Sequence, residues 1–173
     1  MAKLEDVQLI SILFDHGYID ETITLSNLRT RGYNSEQQEL SSFLIARDLI
    51  TADLIGQALA EHYDLPYADL NSNQPDKKII NIIPNDIQEK FRLIIFSVTE
   101  NDVIFTTDNP ELVLNALEQP VYEPIDEDPI GFFDRLKARF GNHEVEYVPT
   151  LMEVIKARIG DREIFLSYSL GQD

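Results

Sequence analysis

The sequence predicts an α+β fold: an N-terminal bundle of short helices over residues 1–64, then a small α+β subdomain with a few-stranded sheet over residues 65–173. Three observations predict it. Apolar residues recur at helical spacing through the first third, with a glycine or a capping residue at each break. Two β-rich runs, RLIIFSVT and DVIFTT, flank Glu100 and Asn101 and read as a hairpin. Helix-start signals then return at Pro110 and Thr150.

The elements follow in order. Leu4, Val7, Ile10, Leu13 and Phe14 form the apolar stripe of a first helix, which Gly17 stops. A second helix fits from about Asp20, on Ile23, Leu25 and Leu28, and ends before Gly32. Ser35 with Gln38 three residues on reads as a capping box, and Leu40, Phe43, Leu44 and Ala46 follow on one face. Thr51 caps a fourth helix, with Asp53 in the first turn where the dipole favours negative charge. Its stripe is Leu54, Ile55, Ala58, Leu59 and Tyr63.

Beyond Pro66 the texture changes. Residues 67–70 suit a short strand, 71–76 a loop, 79–83 a short apolar run, and 85–91 one or two helical turns. Pro110 opens a helix to Leu117. Residues 118–128, EQPVYEPIDED, hold five acids and two prolines, so 118–131 reads as a solvated acidic loop. A helix is expected over 131–140, a strand over 144–148, and a helix from the Thr150–Glu153 capping box to Ile159. The run REIFLSYS at 162–169 has strand propensity but no evident neighbour.

Composition excludes several functions. The 173 residues carry 14 Lys+Arg against 31 Asp+Glu, a formal charge of -17. This argues against nucleic-acid backbone as a partner, because binding it requires clustered cations. Acidity also disfavours adsorption to anionic lipid. The absence of cysteine removes disulfides, thiolate zinc sites and cysteine nucleophiles. The opening MAKLEDVQLISILFDHG is neither signal peptide nor anchor, and no apolar run approaches the roughly 18 residues of a membrane span. The expected location is cytoplasmic, with no direct membrane insertion.

Catalytic chemistry is missing as well. There is no phosphate-binding glycine loop followed by lysine, and the seven glycines are scattered. His16, His62 and His143 never pair at i, i+4 spacing. His16 and His143 read as surface or capping residues, and His62 as a favourable charge near a helix C-terminus. Asp126, Glu127 and Asp128 could attract a divalent cation but lack the alternating spacing and turn glycine of a calcium loop. No catalytic residue, metal ligand or cofactor is assigned.

LSSFLIARDLITADLIGQALAEHYDLPYADL at 40–70 resembles a stretch of the N-terminal domain of type II secretion and type IV pilus assembly ATPases, the general secretion pathway E and PilB proteins. In that family a segment like LGELLVEEGLIT…L..AL..Q.GLPFVDL leads into a second run like IP…a…..IP……L.VA..DP..L..L. Here that second run is similar to IIPNDIQEKFRLIIFSVTENDVIFTTDNPELVLNAL at 82–117, and EVEYVPTLMEVIKARIG at 144–160 resembles the closing strand and helix. The likeness covers about 39–160. It implies a non-catalytic docking or regulatory domain that binds inner-membrane platform or cytoplasmic adaptor proteins and is peripheral to the inner membrane through them. In the family the ATP-hydrolysing module lies C-terminal to this region, and no Walker motif occurs in this chain.

Some members, of the MshEN type, bind cyclic di-GMP through two copies of a motif similar to R-L-G-x-x-L-[LVI]-x-x-G-[LVI]-[LVI]-x4-L-x3-L-x2-Q. Two degenerate copies can be placed. The first runs through Gln8, Leu9, Ile10, Leu13, Phe14, Gly17, Tyr18, Ile19, Thr24, Leu28 and Arg31, and the second through Glu39, Leu40, Ser41, Leu44, Ile45, Asp48, Leu49, Ile50, Ile55, Leu59 and His62. The alternative function is therefore cyclic di-GMP sensing, with Gln8, Leu9, Gly17, Arg31, Glu39, Leu40 and His62 as the candidate positions. Gln8 and Glu39 replace the motif's arginines, and Glu39 would repel a phosphate. Docking is the favoured reading. The docking patch is expected on residues 1–64, whose apolar supply (Ile12, Phe14, Leu25, Phe43 and Ile55 among it) exceeds one internal seam, with a basic partner surface.

Overall fold

The computed structural model describes residues 4–117 and 150–170. The expected acidic loop, the helix over 131–140, the strand over 144–148, and His143 with Asp126, Glu127 and Asp128 lie outside the described residues.

Four helices come first: α1 (Asp6–Asp15), α2 (Leu25–Thr30), α3 (Leu40–Ala46) and α4 (Ala52–His62). They form two tandem copies, related by the shift that takes Leu9 to Leu40. Matching positions are buried in both copies: Leu9 and Leu40, Leu13 and Leu44, Ile19 and Ile50, Leu28 and Leu59. The turns match too. Gly17 and Asp48 both take the left-handed conformation, at φ 77° and 54°. The amides that follow close the same ring, Tyr18 onto the Leu13 carbonyl at 2.8 Å and Leu49 onto Leu44 at 3.0 Å.

Asp48 has a Cβ where glycine would have none. Asp48→Gly is therefore expected to stabilise the chain by about 0.5–1 kcal/mol, since the left-handed strain it relieves exceeds the entropy it adds to the unfolded state. Urea unfolding measures it. A lower midpoint would mean the aspartate side chain holds the turn.

Several helix starts differ from expectation. Thr24, not Asp20, caps α2, its hydroxyl accepting from the Asn27 amide at 3.3 Å. Asp20 instead holds an Asx turn through the Thr22 amide at 2.8 Å. The box at Ser35 and Gln38 does not form: Asn34 takes the Glu36 amide at 3.0 Å, and α3 begins after Glu39. Thr51 caps α4 as expected, accepting from Leu54.

The second half contains α5 (Lys77–Ile80), α6 (Asn85–Phe91), β1 (Leu93–Val98), β2 (Asp102–Thr107), α7 (Pro110–Ala116), α8 (Leu151–Ile159) and β3 (Glu163–Tyr168). Asn109 caps α7 with Pro110 at its first turn, and Thr150 with Glu153 makes the capping box of α8. The sheet order is β1-β2-β3. β1 and β2 are the expected antiparallel hairpin, with a bulge between Ile95 and Ser97. β3 pairs parallel with β2, from Asp102 opposite Glu163 to Thr107 opposite Tyr168. Residues 67–70 form no strand, only a single parallel bridge from Tyr67 to Tyr168.

Two hydrophobic cores result. The first gathers Leu9, Leu13, Leu28, Leu44, Ile55 and Leu59. The second gathers Ile83, Ile87, Leu93, Ile95, Phe105 and Ile155 between the helices and the inner sheet face. Beyond residue 64 the first core also takes Tyr168, with Tyr67 and Leu170 packed against it. The ring of Tyr67 lies so close over Gly56 of α4 that an added Cβ would come within 2.8 Å of its Cζ. This is why α4 carries glycine at a buried position. Arg92, left-handed at φ 51°, ends α6 and pairs with the buried Asp108 at the end of β2.

Candidate protein-docking face

Helix α1 has two apolar faces. Leu9, Ile12 and Leu13 turn into the first core. Val7 and Phe14, seven residues apart and thus two turns along one side, are 64% and 50% exposed. The expected stripe mixed these two sets. The sequence permits both, because 7–10–14 and 9–12–13 each have helical spacing, and only the position of α4 decides between them. Ile45, at the second copy's equivalent of Phe14, is also exposed.

Of the residues named as surplus, Ile12, Phe43 and Ile55 are buried, and Leu25 is half-buried against the first core. Phe14 alone remains as surface.

Tyrosine–carboxylate bonds fix α1 at both ends. Near its start, Tyr33 donates its hydroxyl to Asp6 Oδ2 at 2.6 Å. Burial, then the bond to Asp6, raises the Tyr33 hydroxyl well above its ordinary value. Past its end, Tyr18 donates to Glu61 Oε1 at 2.8 Å, and burial followed by Glu61 raises its hydroxyl as well. Glu61 also meets His16 Nδ1 at 3.3 Å. The exposed face of α1 is thus presented by a helix braced against α2 and α4.

The candidate nucleotide positions are spread over the four helices and the turn after α1. The Gln8 side chain accepts the Glu5 amide at 3.2 Å at the first turn of α1. Leu9 and Leu40 are buried. Gly17 forms the left-handed turn, and Arg31 and Glu39 are exposed at the end of α2 and the start of α3. His62 ends α4 with its ring edge-on to His16 at 6.3 Å. The structure therefore brings the closing position of the second copy to the turn of the first.

An apolar cleft of about 170 Å³ opens beside α7 and α8, lined by Leu93, Phe105, Leu114, Met152 and Ile164 among others. Its lining carries no polar side chain that would orient a polar substrate. Among the described residues, no group of His, Cys, Asp and Glu is placed to hold a metal ion, and no helix is long and apolar enough to cross a membrane.

No family model matches the sequence, and no curated protein matches it. Among solved structures it is similar to MshE with cdg, at TM-score 0.45 and 14% identity over 93% of this chain and 88% of that one. It is also similar to the N-terminal domain of XpsE in two crystal forms. The first gives TM-score 0.37 and 11% identity, covering 98% of this chain and 91% of that one. The second gives 0.34 and 13%, covering 98% and 92%. Identities this low transfer no residue role.

Proposed function

We propose that this chain is a docking domain of a type II secretion or type IV pilus assembly motor, without catalysis of its own, that binds inner-membrane platform or cytoplasmic adaptor proteins. The observation that carries the reading is the outer face of α1, where Val7 and Phe14 stand exposed on a braced helix. Large apolar side chains held rigidly at a surface gain most when a partner removes them from water. The resemblance over 39–160 supplies the kind of machine, and the -17 charge supplies the partner's sign. Cyclic di-GMP sensing has less support: Gln8 is spent on a helix turn, Leu9 and Leu40 lie in the core, and Glu39 offers a carboxylate where a phosphate would need a cation.

Interferometry against the cytoplasmic domains of the platform proteins of the same system tests this. Val7→Ser with Phe14→Ser is expected to weaken binding about tenfold or more. The melting temperature should hold, because neither side chain is in a core. Added salt should slow association. Equal binding by a folded double variant would exclude α1 as the docking face.

A further inference from the structure

We infer that the outer face of the three-stranded sheet is a second docking surface, and that it receives an amphipathic helix of a partner protein whose apolar stripe is flanked by Lys or Arg. Strand alternation puts Val103, Phe105, Ile164 and Leu166 on the inner face, against α6, α7 and α8. The opposite face carries Ile94, Ile104 and Phe165, with Ile104 directly across from Phe165. Phe96 is the unpaired residue of the β1 bulge, a device that re-aims a side chain. None of these four packs against either core, and Phe165 is 48% exposed. Antiparallel sheets with one wet face usually alternate apolar with polar residues. Here Ile94, Ile104 and Phe165 make an apolar patch on a face that Ser97 and the buried Thr106 and Ser167 complete. Helices cover both faces where strands pair in parallel, as β2 and β3 do.

Charge points to the sign of the occupant. Next to the Ile104–Phe165 pair on the same face, Asp102 stands directly across from Glu163. Like charges in that position destabilise a sheet. Among the described residues neither carboxylate has an ion-pair partner. Arg162, the neighbouring cation, spends its guanidinium on the carbonyls of Thr99 and Ile159. A Lys or Arg beside the partner's apolar stripe would sit between the two carboxylates and relieve their repulsion. The surface is separate from α1 and does not depend on the motor reading.

The probe is a synthetic amphipathic helix of leucine and lysine, titrated into the isotope-labelled full chain by NMR. Saturable shifts confined to the amides of β1, β2 and β3 are expected. Phe165→Ser should weaken that binding about tenfold, the scale of losing a buried aromatic anchor. Asp102→Asn with Glu163→Gln should weaken it and flatten its salt dependence. A leucine–glutamate peptide of the same pattern should produce no shifts, and Val7→Ser with Phe14→Ser should leave the lysine peptide's binding here unchanged. Lysine-peptide binding that ignores Phe165→Ser would overturn the proposal, being mere attraction to an acidic chain. So would a core-sized fall in melting temperature for Phe165→Ser, which would mean the chain itself covers the face. A concentration-dependent dimer in sedimentation that Phe165→Ser abolishes would assign the face to a second copy instead.

Discussion

Tyr168→Ala is expected to cost about 3–5 kcal/mol of folding stability, the range for deleting a fully buried aromatic ring. Tyr168 is the last residue of β3 and is 1% exposed, yet its ring belongs to the helical core rather than the sheet's own. It stacks on Tyr63 at 5.9 Å. Its backbone continues the sheet across the seam: its amide donates to the Pro66 carbonyl at 2.8 Å, and its carbonyl accepts the Ala68 amide at 2.7 Å. Burial, then the nearby Asp108 charge, keeps its hydroxyl protonated far above neutrality. Denaturant unfolding followed by helix and by aromatic signals should show a lower midpoint for the variant. Because the ring is lost from the helical core alone, the two signals should also separate, the helical half melting first. A loss below about 1 kcal/mol would mean that neighbours collapse into the space, as tolerant sites do.

Asp108→Ala is expected to cost about 2–3 kcal/mol, from breaking a charge-assisted pair at a buried carboxylate. The cost falls below that of a fully buried pair because the Arg92 side chain is 44% exposed and water can solvate it once alone. Arg92 Nε reaches Asp108 Oδ1 at 2.6 Å, and its Nη2 takes the other oxygen. Burial pushes the Asp108 carboxyl up, the hydrogen bonds and charge of Arg92 pull it down, and the outcome lies below the ordinary carboxylate value. A depressed pKa contributes stability above the unfolded value and loses it as pH falls through the folded one. The parent should therefore lose stability below about pH 4, and Asp108→Asn should lack that part of the acid dependence. Parallel curves for the two proteins would refute the assignment.

Local chemistry was legible where one residue decides the outcome. Thr51, Asn109–Pro110 and the Thr150–Glu153 box each satisfy orphan amides within three residues, and the structure places helices at all of them. The hairpin at Glu100 and Asn101 was legible for the same reason. Competing local partners blurred other boundaries. Asn34 outbids Ser35 for a turn amide, and Thr24 starts α2 after Asp20 has been used elsewhere. Choices made by distant residues were not legible at all. β3 pairs with a strand 61 positions away, so nothing local to REIFLSYS names its neighbour. Which side of α1 faces out depends on α4, so Val7 and Phe14 could not be told from core by spacing. The docking patch with its basic partner and the nucleotide positions rested on composition and motif, which carry no placement.

The parallel strand that closes the sheet also sets an order of events during synthesis. The helical half leaves the ribosome about 100 residues ahead of Tyr168, a wait of roughly 5–20 s at ordinary elongation rates. Throughout that interval Tyr63 and Tyr67 lack the ring that seals them. The nascent chain therefore holds a helical cluster with an open apolar side until its C-terminal strand arrives, which makes this stretch a natural substrate for chaperones that hold translating chains.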